Sequence, residues 1–258
     1  MQYDAIILAG GESSVELKKY APYDNEALIV IGQYPMIYYV HKALCDSPSV
    51  RNIVISGPVD VLTPIFKSNE RLFFVNGGNS VIDSLTAGIQ LLRQKEISDQ
   101  LLILPTDIPF ITTAAIEDFL RQAENNPAQF HYPVISKEVS EATYPGVKRT
   151  YVRLRDGVFT GGNLFLAQDN IIDPVLELAR ELVARRKKPW SIARLFGVNL
   201  FLRFLWGKLT IAAAEKRFNQ VTGITGRAII SSYAEVGVDV DKASDLELAQ
   251  KYLKDTIF

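Results

Sequence analysis

The first eleven residues constrain the fold more than any other part of the chain. An apolar run, Tyr3–Leu8, leads through Ala9 into a glycine pair, Gly10 and Gly11. In an open α/β sheet, ligands bind outside the carboxyl ends of the strands, and glycines let a phosphate approach the backbone closely. The segment is neither a Walker loop nor a dinucleotide-binding fingerprint, because Gly-Lys-Ser/Thr and a full G-x-G-x-x-G are both absent. A plain strand-to-loop turn explains the same residues equally well.

The composition allows one large α/β domain or two small ones and excludes a disulfide scaffold. The chain has 258 residues, of which 48% are hydrophobic, and a single cysteine, Cys45. One cysteine cannot form an internal disulfide, so we expect a reducing, cytoplasmic location. The net charge of −1 gives no reason to expect nucleic acid as a partner. We expect neither a signal peptide nor a spanning helix, since no run of roughly 18 uncharged apolar residues occurs.

Strand-like and helical patterns alternate along the chain, which predicts an α/β fold with a mixed, mostly parallel sheet. The predicted strands are Tyr3–Leu8, Ala27–Ile31, Asn52–Ser56, Leu72–Val75 and Leu101–Leu104, followed by strand-like runs at Gln129–Ile135, Val147–Leu154, Asn163–Ala167 and Arg227–Val238. The predicted helices are Met36–Cys45, opened by Pro35, then Val81–Lys95, Ala114–Glu124 and Leu246–Leu253.

The composition changes in residues 174–222, which we predict to be mostly helical. This segment has ten Lys or Arg against three Glu, a net charge of +7, and contains Trp190 and Trp206. No internal repeat or low-complexity linker separates it from the rest. We therefore expect a helical insertion within one domain that spans residues 1–258.

A candidate metal ligand, Asp107, follows the apolar run that ends in Leu104, Pro105 and Thr106. A carboxylate at the carboxyl end of a strand, at the same sheet edge as the glycine pair, can hold Mg²⁺ against a nucleotide phosphate. Mg²⁺ prefers one or two carboxylates together with phosphate oxygens. The alternative is that Asp107 braces the turn before the helix that starts near Thr113.

A second acidic pair, Asp239 and Asp241, stands at the end of a predicted strand. Alternation on a strand places both carboxylates on one face, which is costly unless a cation or water lies there. The pair therefore favours metal binding, with solvent-facing acids as the alternative. Ser244 and Glu247 fit a capping box for the last helix, which gives Asp245 a structural role in its first turn.

Two further glycine pairs precede regular elements. Gly77 and Gly78 stand before a helix for which Ser80 is the predicted N-cap, and free amides with small polar side chains suit a base or a ribose. Asp83, three residues after Ser80, also fits a capping box. The other pair, which ends at Gly162, leads into Asn163, and these residues suit an acceptor substrate or its phosphate as well as a tight turn.

Taken in order, these segments resemble the MobA-like NTP transferases, the family of molybdenum-cofactor guanylyltransferases, sugar-phosphate nucleotidylyltransferases and methylerythritol-phosphate cytidylyltransferases. The resemblance covers about residues 1–168 and 224–253. It is carried by Leu8–Gly11, Glu26–Met36, Gly77–Gly78 with Ser80 and Ser84, Thr106–Pro109, Gly161–Asn163 and Asp239–Asp241.

The resemblance implies a single-domain, three-layer Rossmann-like fold, similar to that of the glycosyltransferase-A enzymes. It also implies that a nucleotide lies over the first glycine pair, that Asp107 with Asp239 or Asp241 holds Mg²⁺, and that an acceptor phosphate attacks the α-phosphorus of an NTP. The implied nucleotide-binding residues are Leu8, Ala9, Gly10, Gly11, Gly77, Gly78, Ser80, Ser84 and Thr106, and the implied acceptor-binding residues are Arg153, Gly162 and Asn163.

Two positions depart from the family pattern. The family has an Arg a few residues after the first glycine pair, where this chain has Val15, and a Lys where this chain has Glu26. An acid beside a triphosphate is repulsive, and an unpaired buried charge is costly. We therefore expect Lys18 and Lys19 to reach the phosphates as catalytic cations. Four more cations flank the predicted acceptor strand, unless they only form a solvated face: Lys148, Arg149, Arg153 and Arg155.

Residues 185–208 combine a basic cluster with aromatic, helix-forming residues. Three interpretations stay open. The aromatics pack on the sheet with solvated cations, or the segment lies on a membrane surface, or it covers the active site and recognises an anionic acceptor.

Three functions are compatible with the sequence. The first is a Mg²⁺-dependent nucleotidyltransferase that uses an NTP and a small phosphorylated acceptor and binds no nucleic acid. The second is a nucleotide-binding protein with little catalysis, because the family cations are replaced at Val15 and Glu26. The third is a nucleotide-sugar glycosyltransferase, because Asp239-Val240-Asp241 mimics a D-x-D metal motif.

Overall fold

A computed structural model of the chain describes residues 1–185 and 198–258. The strands, in chain order, are β1 (Tyr3–Leu8), β2 (Val30–Ile31), β3 (Tyr34–Pro35), β4 (Val50–Ser56), β5 (Leu72–Val75), β6 (Gln100–Pro105), β7 (Phe130–Ser136), β8 (Val152–Leu154), β9 (Gly157–Gly161), β10 (Phe165–Gln168) and β11 (Gly226–Ser231). The helices are α1 (Val15–Lys18), α2 (Met36–Cys45), α3 (Val59–Leu62), α4 (Val81–Arg93), α5 (Thr113–Asn125), α6 (Lys137–Thr143), α7 (Ile172–Arg185), α8 (Val198–Leu205), α9 (Ile211–Thr222) and α10 (Ala243–Leu253).

Nine strands of the described residues form one mixed sheet in the order β5-β4-β1-β6-β10-β7-β9-β8, with β11 paired to β7. Strands β1, β4, β5 and β6 are parallel neighbours, and β11 is parallel to β7. Strand β10 runs antiparallel to both β6 and β7. The predicted fold class, a mixed and mostly parallel α/β sheet, is therefore confirmed.

Helices cover both faces of this sheet, which explains why β1 is apolar at successive positions. Ala5 and Ile7 pack with α2 and α5, whereas Ile6 packs on the opposite face with α4 and α7. A strand buried on both faces needs apolar residues in a continuous run rather than in alternation. The carboxyl ends of β1 and β6, which are direct neighbours, meet at one edge between these two layers of helices.

Side-chain caps begin several of these helices. The Ser80 hydroxyl accepts a hydrogen bond from the Asp83 amide at 3.1 Å at the start of α4, and Thr112 caps α5 in the same way. Such caps satisfy amides that have no partner inside the helix. Pro35 is the residue immediately before α2, rather than its first helical residue.

Three predicted strands are shorter than the sequence indicates. Residues 27–31 form a 3-10 turn over Glu26–Leu28 and then β2, because the Asn25 side chain accepts from the Ala27 amide at 2.8 Å. Residues 147–151 are a loop, so that strand begins only at Val152. The last strand stops at Ser231, whose hydroxyl accepts from the Tyr233 amide at 3.1 Å and turns the chain.

Two predictions for the last segment change as a consequence. Asp239 and Asp241 lie in an irregular segment, so the prediction that they alternate on a strand was wrong. Ser244 does not cap α10, because the helix begins one residue before it and Lys242 occupies the cap position. Asp245 does have a structural role in the first turn, since its carboxylate accepts from the Asp241 amide at 3.2 Å.

The described part of residues 174–222 is largely helical and comprises most of α7 together with α8 and α9. Most of the basic cluster predicted at 185–190 lies outside the described residues. Among the helices that the structure describes, none is long and apolar enough to cross a membrane.

Candidate functional site

Two glycine loops meet around one buried serine, Ser84. Gly10 follows β1, whereas Gly77 and Gly78 follow β5, and both loops lie at the edge of the sheet where these parallel strands have their carboxyl ends. The Ser84 hydroxyl accepts a hydrogen bond from the Gly78 amide at 3.1 Å, and a Cβ added at Gly77 would lie only 2.8 Å from the same oxygen. The close approach requires glycine at position 77, and both loops lie against the Ser84 side chain.

The first turn of α4 carries the capping contacts. Ser80 accepts from the Asp83 amide, and its own hydroxyl donates to the Asp83 carboxylate at 2.8 Å. The prediction that Ser80 caps α4 is thus confirmed, whereas the Asp83 carboxylate accepts from the Ser80 hydroxyl rather than from its backbone amide, as a capping box would require. Both side chains are exposed, so the cap presents its polar groups beside Ser84 at the edge where the glycine loops end.

The loop after β1 leaves backbone donors available. Gly10 and Gly11 donate to no backbone acceptor within the described ranges. Ala9, in contrast, is held by its neighbours: its amide donates to Ser56 and its carbonyl accepts from Asn25. Free amides next to glycine are the donors that a phosphate can use.

Leu8 at the end of β1 and Thr106 directly after β6 contact the interior of the fold. Leu8 ends β1 and lines an apolar cavity of about 470 Å³ between α4, α7 and the sheet, while its carbonyl accepts from the Thr106 amide at 3.2 Å. Thr106 is completely buried, and its hydroxyl finds no hydrogen-bond partner among the described residues.

Three carboxylates converge beside this edge. One oxygen from each of Asp107, Asp239 and Asp241 lies within 4.8 Å of the others. The Val240 amide donates to the Asp107 carbonyl at 2.8 Å and so fixes the late acidic segment against the end of β6. The acidic pair is therefore brought to the predicted place by a contact between two loops rather than by strand alternation.

The environment of Asp107 favours a cation. Its Oδ1 is buried and has no hydrogen-bond partner among the described residues. Burial, and next the negative charges of Glu26 and Asp241, raise the pKa of Asp107 to about 7, although a backbone hydrogen bond and Arg149 act in the opposite direction. Carboxylates that share a confined site are stabilised by a divalent cation with a preference for oxygen ligands. The donor set therefore fits Mg²⁺.

Glu26 is a fourth acid at the site. From the sequence it was identified only as the residue that stands where the family has a lysine, and its position in the acidic cluster was not predicted. Its carboxylate lies directly over Gly11, where a Cβ would collide with it. Burial and the neighbouring charge of Asp241 raise the pKa of Glu26 to about 7. The antiparallel bridge between Glu12 and Asn25, together with the Glu26 amide on the Gly11 carbonyl at 3.2 Å, brings it there.

Arg149 supplies the positive charge that faces these acids. Its guanidinium pairs with the Asp239 carboxylate and also donates to the Asp239 carbonyl at 3.1 Å. Burial lowers the pKa of Arg149 against the opposing effect of Asp245, Asp241 and other groups, and its Nε finds no partner among the described residues. Sequence reasoning named Arg149 only as a residue flanking the acceptor strand.

A polar cavity of about 330 Å³ opens beside Arg149 and the acidic pair. Asn163 lines it, whereas Gly162 lies behind the lining and donates its amide to the Pro133 carbonyl at 2.9 Å. Acceptor binding by these two residues stays a prediction. Lys148 and Lys242 add positive charge to the same wall. Lys242 was not identified from the sequence, although it directly follows Asp241.

Three cations predicted from the sequence do not line this polar cavity. The Lys18 ammonium pairs with the Asp24 carboxylate at 2.8 Å. Lys19 is exposed after α1 and does not line the polar cavity. Arg153 packs beside Gly207, away from the residues that line that cavity. Arg149, Lys148 and Lys242 therefore line the polar cavity beside the acids. Lys18 and Lys19 lie at the end of α1, a few residues after the first glycine pair, and their contact with phosphates stays a prediction, as does acceptor binding by Arg153.

Comparison with known proteins points to one family. A family model described as the MobA-like NTP transferase domain matches residues 5–192. A solved structure, a hypothetical transferase from Thermus thermophilus, is 35% identical with a TM-score of 0.80, covering 95% of this chain and 100% of that one. The comparison with curated proteins gives no match.

More distant structures share the fold. A CMP:2-keto-3-deoxy-manno-octonic acid synthetase complexed with CTP is 14% identical with a TM-score of 0.61, covering 98% of each chain. A 4-diphosphocytidyl-2C-methyl-D-erythritol synthase from Anaerococcus prevotii is 13% identical with a TM-score of 0.62, covering 98% of this chain and 96% of that one. At such identities the likeness establishes the architecture and no more.

Proposed function

The chain belongs to the MobA-like NTP transferase family, and we propose that it transfers a nucleoside monophosphate from an NTP to a small phosphorylated acceptor, with release of pyrophosphate. One observation carries the proposal. Two glycine loops meet at Ser84, and the amides of Gly10 and Gly11 in the first loop have no acceptor within the described ranges. Asp107, Asp239 and Asp241 converge beside them, and Asp107 Oδ1 is buried without a hydrogen-bond partner among the described residues. Donors for phosphates thus lie next to ligands for a cation at one edge of the sheet.

The glycine loops are suited to hold the nucleotide. The amides of Gly10 and Gly11 are available to phosphate oxygens, because no backbone acceptor among the described residues uses them. Gly77 and Gly78 bring the second loop against Ser84 without a side chain of their own, and the exposed Ser80 hydroxyl follows them as a polar group for a ribose or a base.

The acidic residues are suited to a metal ion. Asp107, with Asp239 or Asp241, would hold Mg²⁺, which when bound neutralises phosphate charge and orients the phosphates. The Arg149 guanidinium pairs with the Asp239 carboxylate in this structure. Binding of Mg²⁺ to Asp239 would therefore require Arg149 to leave this carboxylate or to share it with the ion. Released from Asp239, the Arg149 guanidinium is free to bind an anionic acceptor in the polar cavity.

In the transfer itself, a phosphate oxygen of the acceptor forms a bond to the α-phosphorus of the NTP. The bond from that phosphorus to the oxygen bridging the α- and β-phosphates breaks, and pyrophosphate carries the negative charge away. Lys148, Lys242 and Arg149 supply positive charge for the acceptor phosphate, and Asn163 offers an amide for its orientation. These groups act through positioning and charge stabilisation rather than through a covalent intermediate.

A second candidate, a nucleotide-binding protein with little catalysis, is favoured by one specific observation. Glu26 lies over Gly11, at the place where the proposal puts the triphosphate. A carboxylate there repels phosphate unless a cation or a proton neutralises it. This candidate predicts nucleotide binding without pyrophosphate release, and it predicts that Glu26→Lys increases activity.

A third candidate, a nucleotide-sugar glycosyltransferase, rests on the D-x-D pattern of Asp239 and Asp241. Both residues do belong to the acidic cluster. Hydrolysis or transfer of a nucleotide sugar, without consumption of an NTP, would distinguish this candidate from the proposed reaction.

Pyrophosphate release tests the proposal directly. The protein is mixed with each NTP, Mg²⁺ and a panel of sugar and polyol phosphates, and pyrophosphate is measured over time. We expect release with one NTP and one acceptor class, and its loss in Asp107→Ala. Release that is unchanged in Asp107→Ala would contradict the assigned role of the acidic cluster.

A further inference from the structure

The end of α8 exposes large apolar side chains in close succession. Leu202 is 37% exposed, Phe204 38%, Leu205 59% and Trp206 67%. Single exposed apolar residues are ordinary on a protein surface, whereas contiguous ones mark a surface that meets another apolar phase. The exposure of these four residues within five positions therefore requires an explanation that the transfer reaction does not give.

Exposed cations stand among these side chains. Arg203 and Lys208 come from the same segment, and Arg153 and Arg155 come from β8 and the residue after it. None of the four has a side-chain hydrogen bond or ion pair within the described ranges. A Cβ added at Gly207 would lie 3.5 Å from the Arg153 side chain, so the two sets of cations are adjacent.

The surface is fixed to the rest of the fold. The Arg155 amide donates to the Leu209 carbonyl at 2.8 Å, and the Ile211 amide donates to the Asp156 carboxylate at 2.7 Å. These bonds tie the hairpin of β8 and β9 to the segment between α8 and α9. The carboxylate of Asp156, the acid of this hairpin, thus accepts from the first amide of α9, and it forms no ion pair with the four cations within the described ranges.

We propose that this basic–aromatic patch, formed by Arg153, Arg155, Leu202–Trp206 and Lys208, binds the surface of an anionic lipid bilayer. Leucine, phenylalanine and tryptophan side chains insert at the level of the headgroups, while the flanking cations remain at the charged surface. Each cation near an anionic leaflet adds attraction that salt screens. The binding is independent of the transfer reaction, and it would hold the protein at a membrane while the nucleotide site stays active.

Vesicle flotation of the full chain tests the proposal. We compare vesicles of phosphatidylcholine alone with vesicles that also contain phosphatidylglycerol, at low and at raised ionic strength. We expect binding to the anionic vesicles only, and weaker binding as ionic strength rises. Lys208→Glu changes the charge by two units and should weaken binding about thirtyfold, at about fivefold for each unit. Leu205→Ser should weaken it about tenfold.

Matched controls separate the patch from general effects of charge and hydrophobicity. Lys67→Glu makes the same charge reversal on an exposed lysine that precedes β5, at the opposite edge of the sheet from β8. Ile257→Ser removes an apolar side chain that is 78% exposed near the chain end. Both controls should bind vesicles like the unchanged protein.

Several results would overturn the proposal. These are no binding to anionic vesicles, equal binding to neutral ones, or losses in the controls as large as those in the patch variants. Sedimentation velocity adds a further outcome. If Leu205→Ser abolishes self-association but leaves vesicle binding unchanged, the patch is an interface between copies of this chain.

Discussion

Replacement of Asp107 by asparagine should separate the stability of the site from its chemistry. Asp107→Asn keeps the size of the side chain but removes a charge that is buried beside Glu26 and Asp241. In the metal-free protein the variant should therefore be more stable than the unchanged chain. With Mg²⁺ present it should lose the transfer reaction, because one ligand of the cation is weakened.

The magnitude follows from the raised pKa. The ordinary pKa of an aspartate is 3.8, and that of Asp107 in the folded chain is about 7. At about 1.4 kcal/mol for each pKa unit, this difference gives an upper bound of about 4 kcal/mol on the stability gained by removing the charge. The folded chain binds this proton more tightly than the unfolded chain, so the penalty develops as pH rises from about 4 to 7 and is complete above it. Solvent reaching the site and the unpaired amide of the asparagine reduce the gain to about 1–3 kcal/mol.

Urea unfolding at pH 8 in the presence of a chelator measures the gain in the free energy of unfolding. Asp60→Asn is the matched control, because Asp60 is an exposed acid in the first turn of α3 and should change stability by less than about 0.5 kcal/mol. Pyrophosphate release should fall at least about a hundredfold in Asp107→Asn alone.

One pattern of results would refute the reasoning. If Asp107→Asn lowers stability in the chelator and leaves turnover intact, Asp107 is a brace of the turn before α5. That outcome would restore the structural alternative that the sequence left open.

Three further predictions test other parts of the molecule. Glu26→Gln should tighten triphosphate binding about tenfold by calorimetry, because it removes the acid over Gly11, whereas Glu12→Gln, on an exposed neighbour, should not. His41 is half-buried, its two ring nitrogens are buried without a hydrogen-bond partner among the described residues, and burial lowers its pKa from 6.5 to about 4. The unfolded chain therefore binds a proton on His41 more readily than the folded chain does. As pH falls from 6.5 to 4, the free energy of unfolding of the unchanged protein should drop by up to about 3 kcal/mol more than that of His41→Phe, as measured by urea unfolding. Arg51→Met should cost about 3 kcal/mol in thermal unfolding, because it leaves the completely buried Asp4 carboxylate without its cation. Arg121→Met, which breaks an exposed pair, should cost less than about 1 kcal/mol.

The main architecture could be predicted from the sequence because it depends on local patterns. The apolar run of β1 and the glycine pairs after β1 and β5 mark buried strands and the loops beside their carboxyl ends. The capping pair Ser80 and Asp83 marks the start of α4. The family resemblance and the fold class that these segments predict are both confirmed.

The acidic cluster was predicted with the correct members but for an incorrect reason. Asp239 and Asp241 meet Asp107 because the Val240 amide bonds to a carbonyl at the end of β6. Such a contact between distant loops leaves no periodic signal in the sequence. The metal role of the cluster stays a prediction that the experiments above test.

The charges around the cluster were the hardest part to predict. The two lysines of the first loop were predicted to reach phosphate, and this stays a prediction, although Lys18 also pairs with Asp24, an acid only six residues away. Arg149 reaches Asp239 across 90 residues, which no local spacing reveals. Glu26 could have been placed near Gly11 only from the antiparallel bridge between the two loops.

The central claim is that Asp107 and its neighbours bind a nucleoside triphosphate together with Mg²⁺. Its most direct test is a thermal-shift panel of ATP, GTP, CTP, UTP and dTTP, each with and without Mg²⁺, on the unchanged chain and on Asp107→Asn. At a hundredfold excess over Kd, a ligand of the folded state adds about 2.7 kcal/mol to the free energy of unfolding. We predict a Mg²⁺-dependent rise in Tm with one nucleotide, lost in the variant. No rise with any nucleotide, or a rise independent of both Mg²⁺ and Asp107, would contradict the claim.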